Sequence, residues 1–168
     1  NASAGTFTNS SDISQVTFSA ANGAASSGWS TSTLSTSEYF EVTISPQTGN
    51  NLSISQISFN YSRSATGPLN YILQWDDNVA FSSPTTISTG NPSDTTEQTS
   101  TSSVSIVASA SQTIYLRWFA YNATGTAGTF RVKTLNVQGT VTSIIIPTST
   151  PSEITACTAT GNSGKLDI

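Results

Sequence analysis

Residues Thr113–Thr140, TIYLRWFAYNATGTAGTFRVKTLNVQGT, decide the fold. Thr113–Tyr121 is dense in aromatic and aliphatic residues that favour extended backbone. Asn122–Gly128 holds small, turn-forming residues, with Gly125 and Gly128 free to take positive φ. Thr129–Val137 then resumes an extended pattern, so the segment reads as two strands joined by a turn. Side chains alternate along a strand. Ile114, Leu116, Trp118 and Ala120 therefore form a core face, and Tyr115, Arg117, Phe119 and Tyr121 share the other. A row of aromatics around a cation is not an ordinary solvent face, and it is the first candidate for recognition.

Working outward, the same period of two recurs. Glu38–Ser45 places Phe40, Val42 and Ile44 inward and Tyr39, Glu41 and Thr43 outward. Leu52–Arg63 changes phase: Leu52 and Ile54 share one parity, Ile57, Phe59 and Tyr61 the other, which predicts a bulge near Ser55–Gln56. Tyr71–Trp75 is a further strand, ended by Asp76-Asp77-Asn78. Ile13–Ser19, Phe81–Ser88 and Val104–Val107 are shorter candidates. Ala20–Ser37, carrying Trp29, and Gly90–Ser103 read as loops. No helical periodicity of useful length is present. Many short strands separated by turn signals predict an all-β jelly-roll sandwich of two antiparallel sheets over residues 1–141. Residues 142–168 change character: Ile144-Ile145-Ile146, then PTSTP, then a Ser/Thr-containing tail, which together read as a C-terminal extension or linker.

The chain has 168 residues, enough for one domain with a sizeable core. It contains 31 serines and 28 threonines, against five basic and nine acidic residues, and no His or Met. Low charge with abundant Ser, Thr, Asn and Gly fits an extracellular, secreted or cell-surface β-protein. A net charge of −4 argues against nucleic acid, whose phosphates need clustered Lys and Arg. No apolar run approaches the roughly 20 residues of a membrane span. The chain begins at Asn1 rather than Met, as expected of a processed or excised product. A lone Cys157 has no partner for an internal disulfide.

The segments EYFEVTISP, ISFNYSRSATGP and LRWFAYNATGTAGTFRVKTLNVQGTV resemble jelly-roll domains of large secreted bacterial surface proteins of the Bacteroidetes type, over roughly Thr6 to Val141. Those domains have a YFEFT-like strand, an F-x-Y-x-R-S-x-T-G-P strand and turn, and a final hairpin with an AGT-aromatic-R element. The resemblance implies a carbohydrate-binding-module-like sandwich, tolerant of calcium, serving as an accessory, adhesive or spacer module and not as a catalyst. Two departures stand out. Lys133 occupies the place of a usual Asp, so any contact built on that Asp is lost. The opening strand, within Asn1–Ser11, is weak, which leaves a gap at a sheet edge.

The residue types limit the chemistry. Without His there is no nucleophile–His–acid triad and no His/Cys zinc site. Glu38, Glu41, Asp76, Asp77, Asp94 and Glu97 are the carboxylates from which a glycosidase pair would be drawn. Glu38 and Glu41 differ in strand parity, however, and Asp76 and Asp77 are adjacent at a strand end. Asp76 and Asp77 are weak candidates for a structural calcium ion, which needs six to eight oxygens; no other cofactor is indicated. Tyr39, Tyr115, Arg117, Phe119 and Tyr121, with Arg131 and Lys133 on the adjoining strand, form the candidate ligand surface. Aromatic faces suit the C–H faces of pyranose rings, and polar groups at their rims suit hydroxyls. The expected partner is a polysaccharide or cell-surface glycan, anionic or rich in hydroxyls. The alternative for the same rings is burial beneath loops or a second sheet. A separate expectation concerns the termini. A weak first strand and spare apolar segments, Ser143–Ile146 or Lys165–Ile168, would suit a homo-oligomer or polymer in which one chain's extension completes another's sheet, as in an extracellular filament or surface layer.

Overall fold

The computed structural model describes residues 1–19 and 23–144. Eleven strands are formed among them: β1 (Ala2–Ala4), β2 (Thr8–Asn9), β3 (Ser14–Ser19), β4 (Gly23–Ser27), β5 (Tyr39–Pro46), β6 (Asn50–Arg63), β7 (Pro68–Asp76), β8 (Thr85–Gly90), β9 (Gln98–Ala108), β10 (Ile114–Ala123) and β11 (Phe130–Ser143). One sheet runs β1-β5-β10-β7-β8, with β2 also paired to β5; the other runs β3-β4-β11-β6-β9. All strand pairings are antiparallel. From β4 onward the chain passes repeatedly between the sheets, which makes the sandwich a jelly roll.

Alternation in the sequence becomes the core. Phe40, Val42 and Ile44 of β5 are buried, as are Ile114, Leu116, Trp118 and Ala120 of β10. From the opposite sheet Ile57, Phe59, Tyr61, Phe130 and Val132 meet them. Phe59 stands edge-on to Trp118 at 5.4 Å, and Phe130 stacks near Phe40 at 6.1 Å. Each such ring removes roughly 150–250 Å² from water, an upper bound of about 4–6 kcal/mol of transfer free energy. The phase change in β6 is a register shift against β9 between Ile54 and Gln56, where the sequence places it.

Several expectations are corrected. β10 and β11 do not form a hairpin: β10 pairs with β5 and β7, whereas β11 pairs with β4 and β6 in the other sheet. The intervening turn crosses the sandwich beside the β6–β7 connection, which crosses in the same place. The two are pinned together by Ser64 N–H to Thr129 O (3.0 Å), Thr129 N–H to Ser64 Oγ (2.8 Å) and Gly125 N–H to Thr66 O (3.0 Å). Gly128 serves close approach there, because a Cβ would run into the Thr66 carbonyl. Positive φ falls instead on Asn122, at 57°.

Gly23–Ser27 is a strand and not loop. Its Ala24, Ala25 and Ser26 are buried where only small side chains fit beside β11. Trp29 caps the core: it is 1% exposed, donates from Nε1 to Ser26 O at 2.6 Å and stands edge-on to Phe40. β9 begins at Gln98, inside the expected polar loop, since Ser and Thr sustain a half-exposed strand. β8 begins at Thr85, after Pro84, so Phe81 is a loop residue. β11 continues to Ser143. The gap expected at the sheet edge is filled by the chain's own β1 and β2 on β5. Expectations for Ile145 onward, including Cys157 and Lys165–Ile168, lie outside the described residues.

Candidate binding surface

β10 is central in its sheet, with β5 and β7 on either side, so its outward residues sit mid-face. Register places Arg117 between Glu41 and Gln74, Phe119 between Tyr39 and Ile72, and Tyr115 between Thr43 and Asp76. Arg117 donates from Nε to Glu41 Oε2 at 2.7 Å and from Nη2 to Val79 O at 3.2 Å. Its guanidinium carbon lies 4.2 Å from the Tyr39 ring centre and 4.4 Å from that of Phe81. The cation is thus neutralised by Glu41 and bracketed by two aromatic faces, an arrangement that a planar guanidinium allows and an ammonium does not. Gln74 donates to Thr86 Oγ1 at 3.2 Å, continuing the polar ladder across the sheet.

Phe119 follows the alternative reading, burial beneath a loop. It is 2% exposed, against Tyr39 at 5.8 Å and Phe81 at 5.9 Å between ring centres. The cover is the β7–β8 loop, residues 77–84. Asp76 holds that loop: Oδ1 accepts from Asn78 N–H at 3.0 Å, and Oδ2 from Ser83 N–H at 2.8 Å. Burial pushes the Asp76 carboxyl up, but the backbone N–H groups of Ser83, Asn78 and Asp77 more than offset this and hold it below its ordinary value. Asp77 accepts from Gln112 Nε2 at 2.6 Å. Both Asp76 oxygens are thus engaged by backbone amides of the loop.

Tyr39, Tyr115 and Tyr121 remain half-exposed on this face. Asn70 lies beside Tyr121 and accepts from Asn122 Nδ2 at 2.7 Å. The surface is therefore three tyrosines on the outer face of the sheet, with a neutralised Glu41–Arg117 pair, Gln74, Thr86 and Asn70 among them.

Arg131 and Lys133 do not join this group. They alternate with buried Phe130 and Val132 on β11, which places them on the outer face of the other sheet. Lys133 Nζ lies 3.0 Å from Glu97 Oε2. Glu97 also accepts from Asn60 Nδ2, and these two bonds, that from Lys133 the stronger influence, hold its carboxyl below the usual range. Sequence reasoning missed Phe81. The signal for a structured loop was present in Asp76-Asp77-Asn78 followed by Pro84, residues that begin and punctuate turns.

No family model matches the chain, and no curated protein matches it. Among solved structures it is similar to a mutant of a family 29 carbohydrate-binding module, with a TM-score of 0.47 and 14% identity over 82% of this chain and 81% of that one. It is also similar to a family 4 module, with a TM-score of 0.46 and 16% identity over 76% and 78% of the two chains. A further family 29 module has a TM-score of 0.43 and 12% identity over 84% and 90%.

Proposed function

We propose that this domain is a non-catalytic extracellular module that binds a neutral, hydroxyl-rich polysaccharide on the outer face of β5, β10 and β7. The observation that carries the reading is the set of half-exposed rings of Tyr39, Tyr115 and Tyr121 on one rigid sheet, with Arg117 locked between Glu41 and two aromatic rings. Flat rings offer apolar platforms to pyranose C–H faces, and Gln74, Thr86 and Asn70 offer donors and acceptors to hydroxyls. Because Glu41 cancels Arg117, the face favours a neutral glycan over an anionic one. Rings on a sheet also lose little freedom on binding.

Absence of catalysis is supported by the carboxylates. Glu41 is paired with Arg117, Asp76 with backbone amides, Asp77 with Gln112, and Glu97 with Lys133 and Asn60. Asp76 and Glu97 are both held low, the wrong direction for a general acid.

Affinity electrophoresis through gels containing β-glucan, mannan, xylan or galactan tests this. Retardation of the parent by at least one polymer is expected. That retardation should be lost in Tyr115→Ala and Tyr121→Ala, and Val107→Ala on the opposite sheet should leave it unchanged. Equal retardation of parent and tyrosine variants would sink the assignment of this face.

A further inference from the structure

The chain has three arginines and two lysines, and all but Lys165 lie within the described residues. Three of the four are spoken for. Arg117 is paired with Glu41, and Lys133 with Glu97. Arg63 donates to three carbonyls, those of Pro92 (3.0 Å), Ser64 (2.9 Å) and Ala65 (2.7 Å), and so ties the loops at the end of β6. Arg131 differs. Among the described residues it is the only basic side chain with no hydrogen bond or ion pair, and its Nε–H is buried without an acceptor. Glu97 reaches it only through its field.

A buried N–H on a charged group is costly to leave unpaired, so such groups are ordinarily satisfied. Arg131 also borders a recess. Arg131 pairs in register with Ala25 and Ser62, both small. The result is a pocket of about 150 Å³ lined by Ser62, Arg63, Ser64, Thr95, Thr129 and Arg131. Its rim is hydroxyl-rich, and its lining holds two guanidinium groups and no carboxylate.

We propose that this pocket is a second binding site, on the sheet opposite the tyrosine face, for the carboxylate of a uronic acid residue in a polysaccharide. The two Nη groups of a guanidinium carry N–H bonds side by side that match the two oxygens of a planar carboxylate. Ser62, Thr95 and Thr129 are placed for the hydroxyls of the same sugar. A single planar monoanion suits one unpaired guanidinium better than a dianionic phosphate, which would call for more positive charge. Hydroxyl lining favours a sugar over an acidic peptide. The site does not depend on the tyrosine face, and the two readings succeed or fail separately.

With only three arginines, the Nε–H signals of the ¹⁵N-labelled domain are few enough to follow singly, and Arg131→Lys identifies one of them. Titration with trigalacturonate should move the Arg131 signal and leave those of Arg63 and Arg117 nearly still. The fully methyl-esterified trimer, which keeps the ring and loses the charge, should move none of them. Arg131→Met should bind trigalacturonate roughly tenfold more weakly or worse. A glutamate-rich peptide should not compete. An Arg131 signal unmoved by trigalacturonate and by an alginate trimer, an equal response to the ester, or stronger binding of the peptide would each overturn the proposal. The ester comparison uses the parent protein alone, so it stands even where a variant folds poorly. Binding of uronate together with failure to bind any neutral polymer would refute the tyrosine-face reading while upholding this one.

Discussion

Replacing Asp76 with Asn probes the link between one buried carboxylate and the form of the tyrosine face. Asp76 is 4% exposed, and each oxygen accepts one backbone N–H of the β7–β8 loop. Asparagine keeps the size but turns one acceptor into a donor, so one amide of Asn78 or Ser83 faces an NH₂ group. The surviving bond also loses its charge assistance. A bond to a charged group contributes about 1.5–3 kcal/mol, and an unsatisfied buried donor costs about 1–3 kcal/mol. We therefore expect Asp76→Asn to destabilise the domain by about 2–4 kcal/mol, or roughly 4–16 °C in Tm for a domain of this size. The sign of the pH dependence is also set. The folded carboxyl titrates below its ordinary value of 3.8, so its contribution is fully present above pH 3.8 and is lost as pH falls through the lower folded value. Urea denaturation at pH 7, and again at pH 3 and below, should show the gap between parent and variant narrowing with acid. The loop also carries Phe81 over Arg117 and Phe119, so its release should raise hydrogen exchange at residues 77–84 before the sheets open. A variant within 0.5 kcal/mol of the parent at pH 7, or a gap that widens in acid, would refute the reasoning.

Three further outcomes follow from the packing. Arg117→Lys should cost about 1–2 kcal/mol although charge is conserved, because an ammonium cannot pair with Glu41 and stack between Tyr39 and Phe81 together; chemical denaturation measures it. Gly128→Ala should destabilise by about 2–4 kcal/mol or prevent folding, since its Cβ meets the rigid Thr66 backbone, whereas Gly90→Ala meets the Tyr71 ring and should be partly relieved by Tyr71→Leu. Burial, with Tyr71 4.7 Å away, pushes Tyr61 from 10.0 up to about 12, so the stability tied to its neutral form is complete below pH 10 and is lost as pH rises towards 12; Tyr61→Phe should flatten the fall of Tm over that window.

Much of the fold was legible because one sheet face is apolar and the other polar, which imprints period two on β5, β6 and β10. The bulge at Ser55–Gln56 was visible for the same reason, since a phase slip moves side chains to the other face. What could not be read was partner choice. β10 and β11 are adjacent in sequence, equally alternating and joined by a short turn, yet the link crosses the sandwich because it is pinned to the β6–β7 connection from Thr66 and Ser64. That pinning is a long-range contact with no local signature. Misplacing β11 carried Arg131 and Lys133 onto the wrong face. Gly23–Ser27 was hidden because it is made of small residues, chosen by the room beside β11 and not by strand propensity. Within the site, alternation correctly put Tyr115, Arg117, Phe119 and Tyr121 together. The burial of Phe119 was legible only as an alternative to exposure, because it depends on a loop folded back over the sheet by Asp76.

The central claim is that the outer face of β5, β10 and β7 is the sugar surface. Backbone amide shift mapping during titration with a neutral oligosaccharide, chosen as the one whose polymer retards the domain, tests it most directly. Shifts concentrated at Tyr39–Thr43, Tyr115–Tyr121 and residues 77–84 are expected. Shifts confined to β4, β6 and β9, or no shifts at saturating sugar, would contradict it.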